Sequence, residues 1–104
     1  MPFSELNDNT FSQEISEGLV LVDCWAEWCH SCRPVASALE EIAAETPEVK
    51  FSRINIDENQ DTVRKFKITA VPTLLLFRNG ELLTKSVGAL PPALIREMVA
   101  KLRE

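Results

Sequence analysis

The strongest constraint in this chain is a nearly continuous apolar run, Leu19–Trp25, followed closely by two cysteines, Cys29 and Cys32. A short apolar run rich in β-branched residues is typical of a central strand that is covered on both faces of a sheet. From Cys32 to Glu45 the apolar residues recur at the spacing of one helical stripe. The sequence therefore predicts a buried strand that leads, through the cysteine pair, into an amphipathic helix.

The rest of the chain continues the alternation of helices and strands. The pattern predicts a short helix from Thr10 to Gly18, with Thr10 and Gln13 as a capping box, a second short helix within Asp57–Phe66, and a last helix opened by Pro91 and Pro92. It predicts strands at Val49–Ile56, Thr73–Phe77 and Glu81–Val87. A hairpin turn at Asn79–Gly80 should join the last two strands. A further strand around Phe3–Leu6 is also compatible with the pattern. Strand–helix–strand units make parallel pairs, and a hairpin adds antiparallel strands. We therefore expect one α/β domain over residues 1–104, with a mixed central β-sheet flanked by helices on both faces.

Charge and composition argue against several classes of partner. The net charge is −5, from 11 basic and 16 acidic residues, and proteins that bind phosphate backbones usually carry the opposite sign. No apolar run reaches the length that crosses a bilayer, and the first residues lack the pattern of a signal peptide. Three cysteines are too few for the disulfide framework of a secreted protein. We therefore expect a cytoplasmic protein that binds neither nucleic acid nor membranes.

The spacing of Cys29 and Cys32 suits reversible disulfide chemistry. Residues three apart on a helix lie about 5–6 Å from each other, which is within the range that a disulfide spans. At the start of a helix, free N–H groups and the helix dipole stabilise a cysteine thiolate. We predict that Cys29 attacks a partner's disulfide and that Cys32 resolves the mixed disulfide.

Two other interpretations of the cysteine pair are a structural zinc site and an incidental pair of thiols. A structural zinc site needs four ligands, and the chain has no second pair of cysteines at this spacing. Cys24 and His30 are poorly placed to complete a tetrahedron, so no metal is expected. An incidental pair of thiols remains the alternative to redox function.

Four segments in order, 20–29, 55–57, 71–81 and 87–90, resemble the thioredoxin family over nearly the whole chain. The resemblance implies the thioredoxin fold and a protein-disulfide reductase that needs no cofactor beyond the redox-active Cys29–Cys32 pair. It also implies oxidised proteins as substrates, a thioredoxin reductase as electron donor, and a monomer. The alternatives left open are a more oxidising, oxidase- or isomerase-like protein and a non-catalytic binding module of the same fold.

The resemblance also implies a substrate-binding surface around Pro72. Pro72 would follow a cis peptide bond and face the cysteines, so that the N–H and carbonyl of Val71 could pair with an extended peptide. An exposed Trp28, with Gly88 and the neighbouring Ala89, would add an apolar docking patch. The predicted substrate-binding residues are Trp28, His30, Ser31, Val71, Pro72 and Gly88. The alternatives are an ordinary loop proline and a Trp28 that packs into the core.

Asp23 is a carboxylic acid inside the apolar run, and we predict that it accepts the proton of Cys32. Burial disfavours the charged form and should raise the pKa of Asp23. Arg53 stands where the family typically has a lysine. An arginine that reaches Asp23 would favour the carboxylate, lower its pKa and weaken this role. The alternative is a structural aspartate turned towards water.

Other departures from the family pattern surround the cysteines. His30-Ser31 replaces the usual Gly-Pro between them. A protonated His30 or the Ser31 hydroxyl would stabilise the thiolate, which makes the couple more oxidising. The usual helix proline is replaced by Ser37, whereas Pro34 lies earlier, so that either the first helical turn is distorted or regular helix begins at Pro34.

Overall fold

A computed structural model describes residues 3–104 of the chain. The strands are β1 (Ser4–Leu6), β2 (Leu19–Trp25), β3 (Val49–Asn55), β4 (Thr73–Arg78) and β5 (Glu81–Val87), and the helices are α1 (Phe11–Glu14), α2 (Cys32–Glu45), α3 (Gln60–Phe66) and α4 (Pro92–Leu102). The strands form one sheet in the order β1-β3-β2-β4-β5. None of the helices within residues 3–104 is long and apolar enough to span a membrane.

Strand β2 occupies the centre of the sheet because both of its faces are apolar. It pairs in parallel with β3 and antiparallel with β4. Successive side chains of a strand point to opposite faces, so Leu21 joins one hydrophobic core while Val20 and Val22 join the other. Each such side chain that is fully buried contributes about 1.5–3 kcal/mol to folding. The sheet is mixed, as the sequence predicted.

Helices cover both faces of this sheet. The apolar stripes of α2 and α4 pack on the Leu21 face, where Leu39 and Ile95 have no exposed surface. On the other face, Phe11 of α1 and Phe66 of α3 pack against Phe77, with ring centroids 5.3–5.8 Å apart. The predicted fold class, a mixed sheet between two layers of helices, is therefore confirmed.

Several predicted boundaries near the amino terminus are wrong. Helix α1 ends at Glu14 rather than at Gly18, and the Thr10 side chain does not cap it. The Thr10 hydroxyl instead accepts a hydrogen bond from the Asn7 N–H (3.1 Å), which replaces the predicted capping box with Gln13. The strand that the pattern only allowed around Phe3–Leu6 is β1, at Ser4–Leu6.

Helix α3 lies within the predicted range Asp57–Phe66, and it begins at Gln60 because polar side chains hold the preceding segment in a turn. The Asn55 side chain accepts a hydrogen bond from the Asp57 N–H (2.8 Å), and the Asn59 side chain donates to the Asn55 carbonyl (2.8 Å). Such local bonds compete with helical hydrogen bonds. The predicted hairpin turn at Asn79–Gly80 does join β4 to β5.

Pro34 lies within the first turn of α2, which is regular from Cys32 onward. The first turn is where a missing N–H is tolerated, because that group has no partner inside the helix. The His30 carbonyl accepts a hydrogen bond from the Arg33 N–H (3.2 Å). Of the two alternatives, the one in which regular helix begins only at Pro34 is therefore wrong.

Candidate active site: the cysteine pair and its surroundings

Cys29 and Cys32 lie at the junction between β2 and α2, and they are joined by a disulfide with a Cα–Cα distance of 5.4 Å. The spacing argument predicted this distance. Both residues are buried, with 6% of Cys29 and 3% of Cys32 exposed. The Cys29 N–H donates to the Ala26 carbonyl and the Cys32 N–H donates to the Cys29 carbonyl. Two successive tight turns therefore bring the chain from the strand to the helix.

The helix begins at Cys32, with Ser31 as the residue that precedes its first turn. Cys29 thus lies just ahead of the helix rather than inside its first turn. The Ser31 Oγ is 3.6 Å from the Cys29 Sγ, so the hydroxyl is placed to donate a hydrogen bond to the sulfur. His30 and Ser31 are both exposed. Of the two residues that replace Gly-Pro, Ser31 is the one in contact with the Cys29 sulfur.

The loop before β4 brings Val71 and Pro72 to the cysteines. Val71 packs against the buried cluster of Ala26, Cys29 and Cys32. The Val71–Pro72 peptide bond is cis, as the family resemblance implied. Within residues 3–104 the Val71 N–H donates no hydrogen bond and the Val71 carbonyl accepts none.

Gly88 is tied directly to this loop. Its N–H donates to the Pro72 carbonyl at 2.8 Å, and its φ of +99° lies in the region that favours glycine. A residue after β5 therefore fixes the position of the loop that faces the disulfide.

Trp28 is exposed over 63% of its surface, so it does not pack into the core. Its Nε1–H donates to the Asp57 Oδ2 at 2.8 Å. This bond holds the indole beside the loop that follows β3, next to Cys29 along the chain. Trp28 thus offers an apolar surface adjoining Cys29, anchored through a different loop from Val71 and Pro72.

Asp23 is wholly buried under the side of the sheet that α2 covers. Neither carboxylate oxygen accepts a hydrogen bond from residues 3–104, and the nearest cation, the Arg53 Nη2, is 3.9 Å from the Oδ2. Burial raises the pKa of Asp23 to about 7, although Arg53 lowers it and Glu5 raises it slightly. The predicted direction of the Arg53 effect is right, but burial outweighs it.

Arg53 belongs to a cluster with Trp25 and Glu5 that was not predicted from the sequence. Its guanidinium lies over the Trp25 ring, 4.2 Å from the centroid, and the Trp25 Nε1–H donates to the Glu5 Oε2 at 3.1 Å. The sequence pattern gave no sign that Glu5 and Arg53 both contact Trp25. The register of β1, β3 and β2, which aligns these positions, has no signal in a single sequence.

An open cleft of about 420 Å³ runs beside the disulfide. Its lining residues are Trp25, Ala26, Glu27, Cys29, Cys32, Arg33, Ala36, Glu40 and Arg53. Arg53 therefore faces the same cleft as the cysteines while it approaches Asp23. Among residues 3–104, His, Cys, Asp and Glu side chains nowhere gather in a group of three or more that could hold a metal ion.

Cys24 is the third cysteine, and it is a free, fully buried thiol. It follows Asp23 on β2 and therefore points into the opposite core. Burial, and to a lesser extent the Asp23 charge, raise the pKa of Cys24. Its expected role as an inert core thiol agrees with these surroundings.

A disulfide that closes between a central strand and the helix after it, beside a loop that contains a cis-proline, defines a thiol–disulfide oxidoreductase. The family model described as Thioredoxin matches residues 2–101. The chain belongs to the thioredoxin family. It is a protein-disulfide reductase by this membership and by its cysteine pair.

Curated relatives are similar along nearly their whole length. The chain is 41% identical to the thioredoxin of Bacillus subtilis (strain 168) over 102 residues, covering 97% of this chain and 98% of the relative. It is 44% identical to the thioredoxin of Listeria monocytogenes over 98 residues, covering 93% and 95%. The thioredoxin of Pseudomonas aeruginosa is 43% identical over 88 residues, covering 82% of each chain.

Proposed function

We propose that Cys29 is the attacking thiolate and that Cys32 is the resolving thiol. The observation that carries this proposal is the Ser31 Oγ, 3.6 Å from the Cys29 Sγ, because a donor at that position favours the thiolate of Cys29. The Cys29 thiolate attacks one sulfur of a partner's disulfide, and the other sulfur leaves as a thiolate. The deprotonated Cys32 then attacks the Cys29 sulfur. Two electrons pass to the partner, and the Cys29–Cys32 disulfide forms.

We propose that Asp23 takes up the proton of Cys32 in the second step. A pKa of about 7 lets the carboxylate hold or release a proton near neutral pH. Arg53 supports this role, since it lies near Asp23 and also lines the cleft beside both cysteines. Its cationic charge keeps part of the buried carboxylate ionised.

We propose that an extended segment of the substrate lies along Trp28, His30, Ser31, Val71, Pro72 and Gly88. The unpaired backbone groups of Val71 support a strand-like pairing with the substrate. The exposed indole of Trp28 supports an apolar contact on the other side of Cys29. His30 and Ser31 are exposed in the loop between the cysteines and would contact the substrate next to the disulfide.

The cellular setting is also part of the proposal. Residues 1–104 would act as one domain and as a monomer, without a cofactor, in the cytoplasm, and a thioredoxin reductase would return the disulfide to the dithiol. Family membership supports the reductase and the oxidised protein substrates. A reducing compartment is where a disulfide of this kind is catalytic rather than structural.

A trapping experiment tests the assignment of the two cysteines. Cys32→Ser should accumulate mixed disulfides with protein substrates through Cys29, whereas Cys29→Ser should trap far fewer. Cys29→Ser/Cys32→Ser is the matched control and should trap none. Equal trapping by both single variants would contradict the assignment. A double variant that still supports a partner's function in full would point to a binding module instead.

The contact between Ser31 and Cys29 also favours a second candidate, a couple more oxidising than one with Gly-Pro between its cysteines. Equilibration with glutathione buffers should give the native protein a higher potential than His30→Gly/Ser31→Pro. A lower or equal potential would contradict this. Reduction of insulin disulfides, compared with refolding of a scrambled disulfide substrate, then tells which direction of exchange the protein performs faster.

A further inference from the structure

We propose that Glu5, on the edge strand β1, is a positioning residue that shares the Arg53 guanidinium with Asp23 and so controls proton transfer at the cysteine pair. The proposal rests on the proposed role of Asp23 as proton acceptor, and extends it to a group that touches neither cysteine.

The first support is the register of three adjacent strands. Glu5 of β1 is the Cα partner of Arg53 in β3, and Arg53 is the Cα partner of Asp23 in β2. Partners in parallel strands project from the same face of the sheet. The three side chains therefore form one row, with a cation between two carboxylates.

The second support is the packing around Arg53. Its guanidinium lies over the Trp25 ring, and the Trp25 Nε1–H donates a hydrogen bond to the Glu5 carboxylate. Glu5 thus fixes the aromatic surface on which the guanidinium rests. On the other side, the Arg53 Nη2 is 3.9 Å from the Asp23 Oδ2, beyond the length of a hydrogen bond. The ion pair is loose enough for Glu5 to alter it.

The two carboxylates compete for one positive charge. Burial raises the pKa of both acids and Arg53 partly offsets this, while the charge of Glu5 raises the pKa of Asp23 further. Glu5 is exposed and Asp23 is buried, so Glu5 keeps its charge in water while it weakens the hold of Arg53 on the buried carboxylate. Arg53 stays positively charged at physiological pH. The charge on Glu5 therefore sets how strongly Arg53 stabilises the Asp23 carboxylate.

Few other charges face this row. Leu74, the β4 partner of Asp23, carries no charge. The charged or titratable groups nearby are Cys24 beside Asp23, Glu58 near Glu5, Cys29 and Cys32 at the end of the cleft, and Glu27, Arg33 and Glu40 along its walls.

The test measures the ionisation of Asp23 directly, by carboxyl ¹³C NMR of the disulfide form, in which Cys29 and Cys32 do not titrate. Glu5→Gln keeps an oxygen for the Trp25 N–H but removes the charge. It should increase the ionised fraction of Asp23 at pH 6 by about twofold, the size expected for an exposed charge. Glu17→Gln, an equal loss of charge at the far end of β2, should change nothing.

A double-mutant cycle decides whether Glu5 acts through Arg53. Arg53→Gln should reduce the ionised fraction by at least about tenfold, and Glu5→Gln should then have little further effect. Arg53→Lys should restore part of the native ionisation. An equal Glu5 effect with and without Arg53 would overturn the sharing mechanism, and no effect in either background would overturn the proposal.

Rate measurements separate this proposal from the role of Asp23. In native protein, the pH midpoint of disulfide reduction should move lower with Glu5→Gln. If Asp23→Asn leaves the pH profile unchanged, then the proton-acceptor role fails even where the NMR shifts are observed. If Asp23→Asn removes the midpoint but Glu5→Gln leaves the NMR titration unchanged, then only the role of Glu5 fails.

Discussion

Asp23 is an ionisable residue whose charge is controlled mainly by its burial. Its side chain is fully buried, and the nearest cation among residues 3–104, the Arg53 guanidinium, is 3.9 Å from its carboxylate. Desolvation is then the main influence on its charge, and attraction to Arg53 is the weaker one. The folded protein therefore binds a proton at Asp23 more tightly than the unfolded chain does.

Asp23→Asn should stabilise the protein in a pH-dependent way. The pKa of Asp23 is about 7 when folded, against an ordinary value of 3.8. The stability gained from its bound proton is complete below about pH 4 and is lost as the pH rises through 7. Urea denaturation should show similar stability near pH 4 and a variant more stable by roughly 4 kcal/mol at about pH 8. A difference that does not change with pH would contradict this.

Ser31→Ala should weaken the thiolate of Cys29, because it removes the hydroxyl 3.6 Å from the sulfur. We expect a higher Cys29 pKa and a reduction potential lower by roughly 20–30 mV, equivalent to about 1 kcal/mol. Thiolate absorbance against pH and glutathione equilibration measure the two quantities. His30→Gln, a change at an exposed neighbour in the same loop, should have the smaller effect. The reverse order would assign the tuning to His30.

At the scale of elements, the active site depends on two connections that are distant in sequence. The junction of β2 and α2 supplies the cysteines, and the loop before β4 supplies Val71 beside them. Gly88, after β5, holds that loop through the Pro72 carbonyl. The hairpin of β4 and β5 therefore helps to position the loop that places Val71 beside the cysteines.

Gly88→Ala should impair the reduction of proteins more than the reduction of small disulfides. A side chain at φ +99° is strained even though the space around Gly88 is open, so the loop should shift at a cost of about 1–2 kcal/mol. We expect a higher KM for insulin and a smaller change with glutathione disulfide.

Gly18→Ala is the matched control for this change. Its φ is +74° and its surroundings are also open, but it lies before β2, away from the cysteines. It should lose comparable stability with no change in KM. A rise in KM for both variants would attribute the effect to general destabilisation.

At the scale of the whole molecule, the redox state and folding stability are linked. A disulfide that closes so short a loop restrains the unfolded chain only slightly, by about 2 kcal/mol. Urea denaturation of a reductase should therefore show the disulfide form more stable by about that amount, with the reduced form still folded. In a strongly oxidising protein the reduced form is the more stable of the two. A reduced form more stable than the disulfide form would therefore support the second candidate, a more oxidising couple.

The sequence was sufficient for most of the architecture, because the apolar runs of β2 and β4 and the stripes of α2 and α4 are long and regular. The short elements were less well predicted, since hydrogen bonds of Asn7, Asn55 and Asn59 override local propensity. The cysteine pair follows from spacing alone. The row of Glu5, Arg53 and Asp23 does not, because it requires the register of strands distant in sequence.

Cys24 and Asp23 point to opposite sides of the same strand, so the sheet itself separates the third thiol from the redox pair. In the reduced native protein, an alkylating reagent should modify Cys29, which has 6% of its surface exposed, and leave Cys24, which has none. Modification of Cys24 requires the sheet to open. The labelling rate of Cys24 in a reduced sample therefore measures how often the core unfolds. Cys24 takes no part in the redox reaction, so this measurement is independent of catalysis.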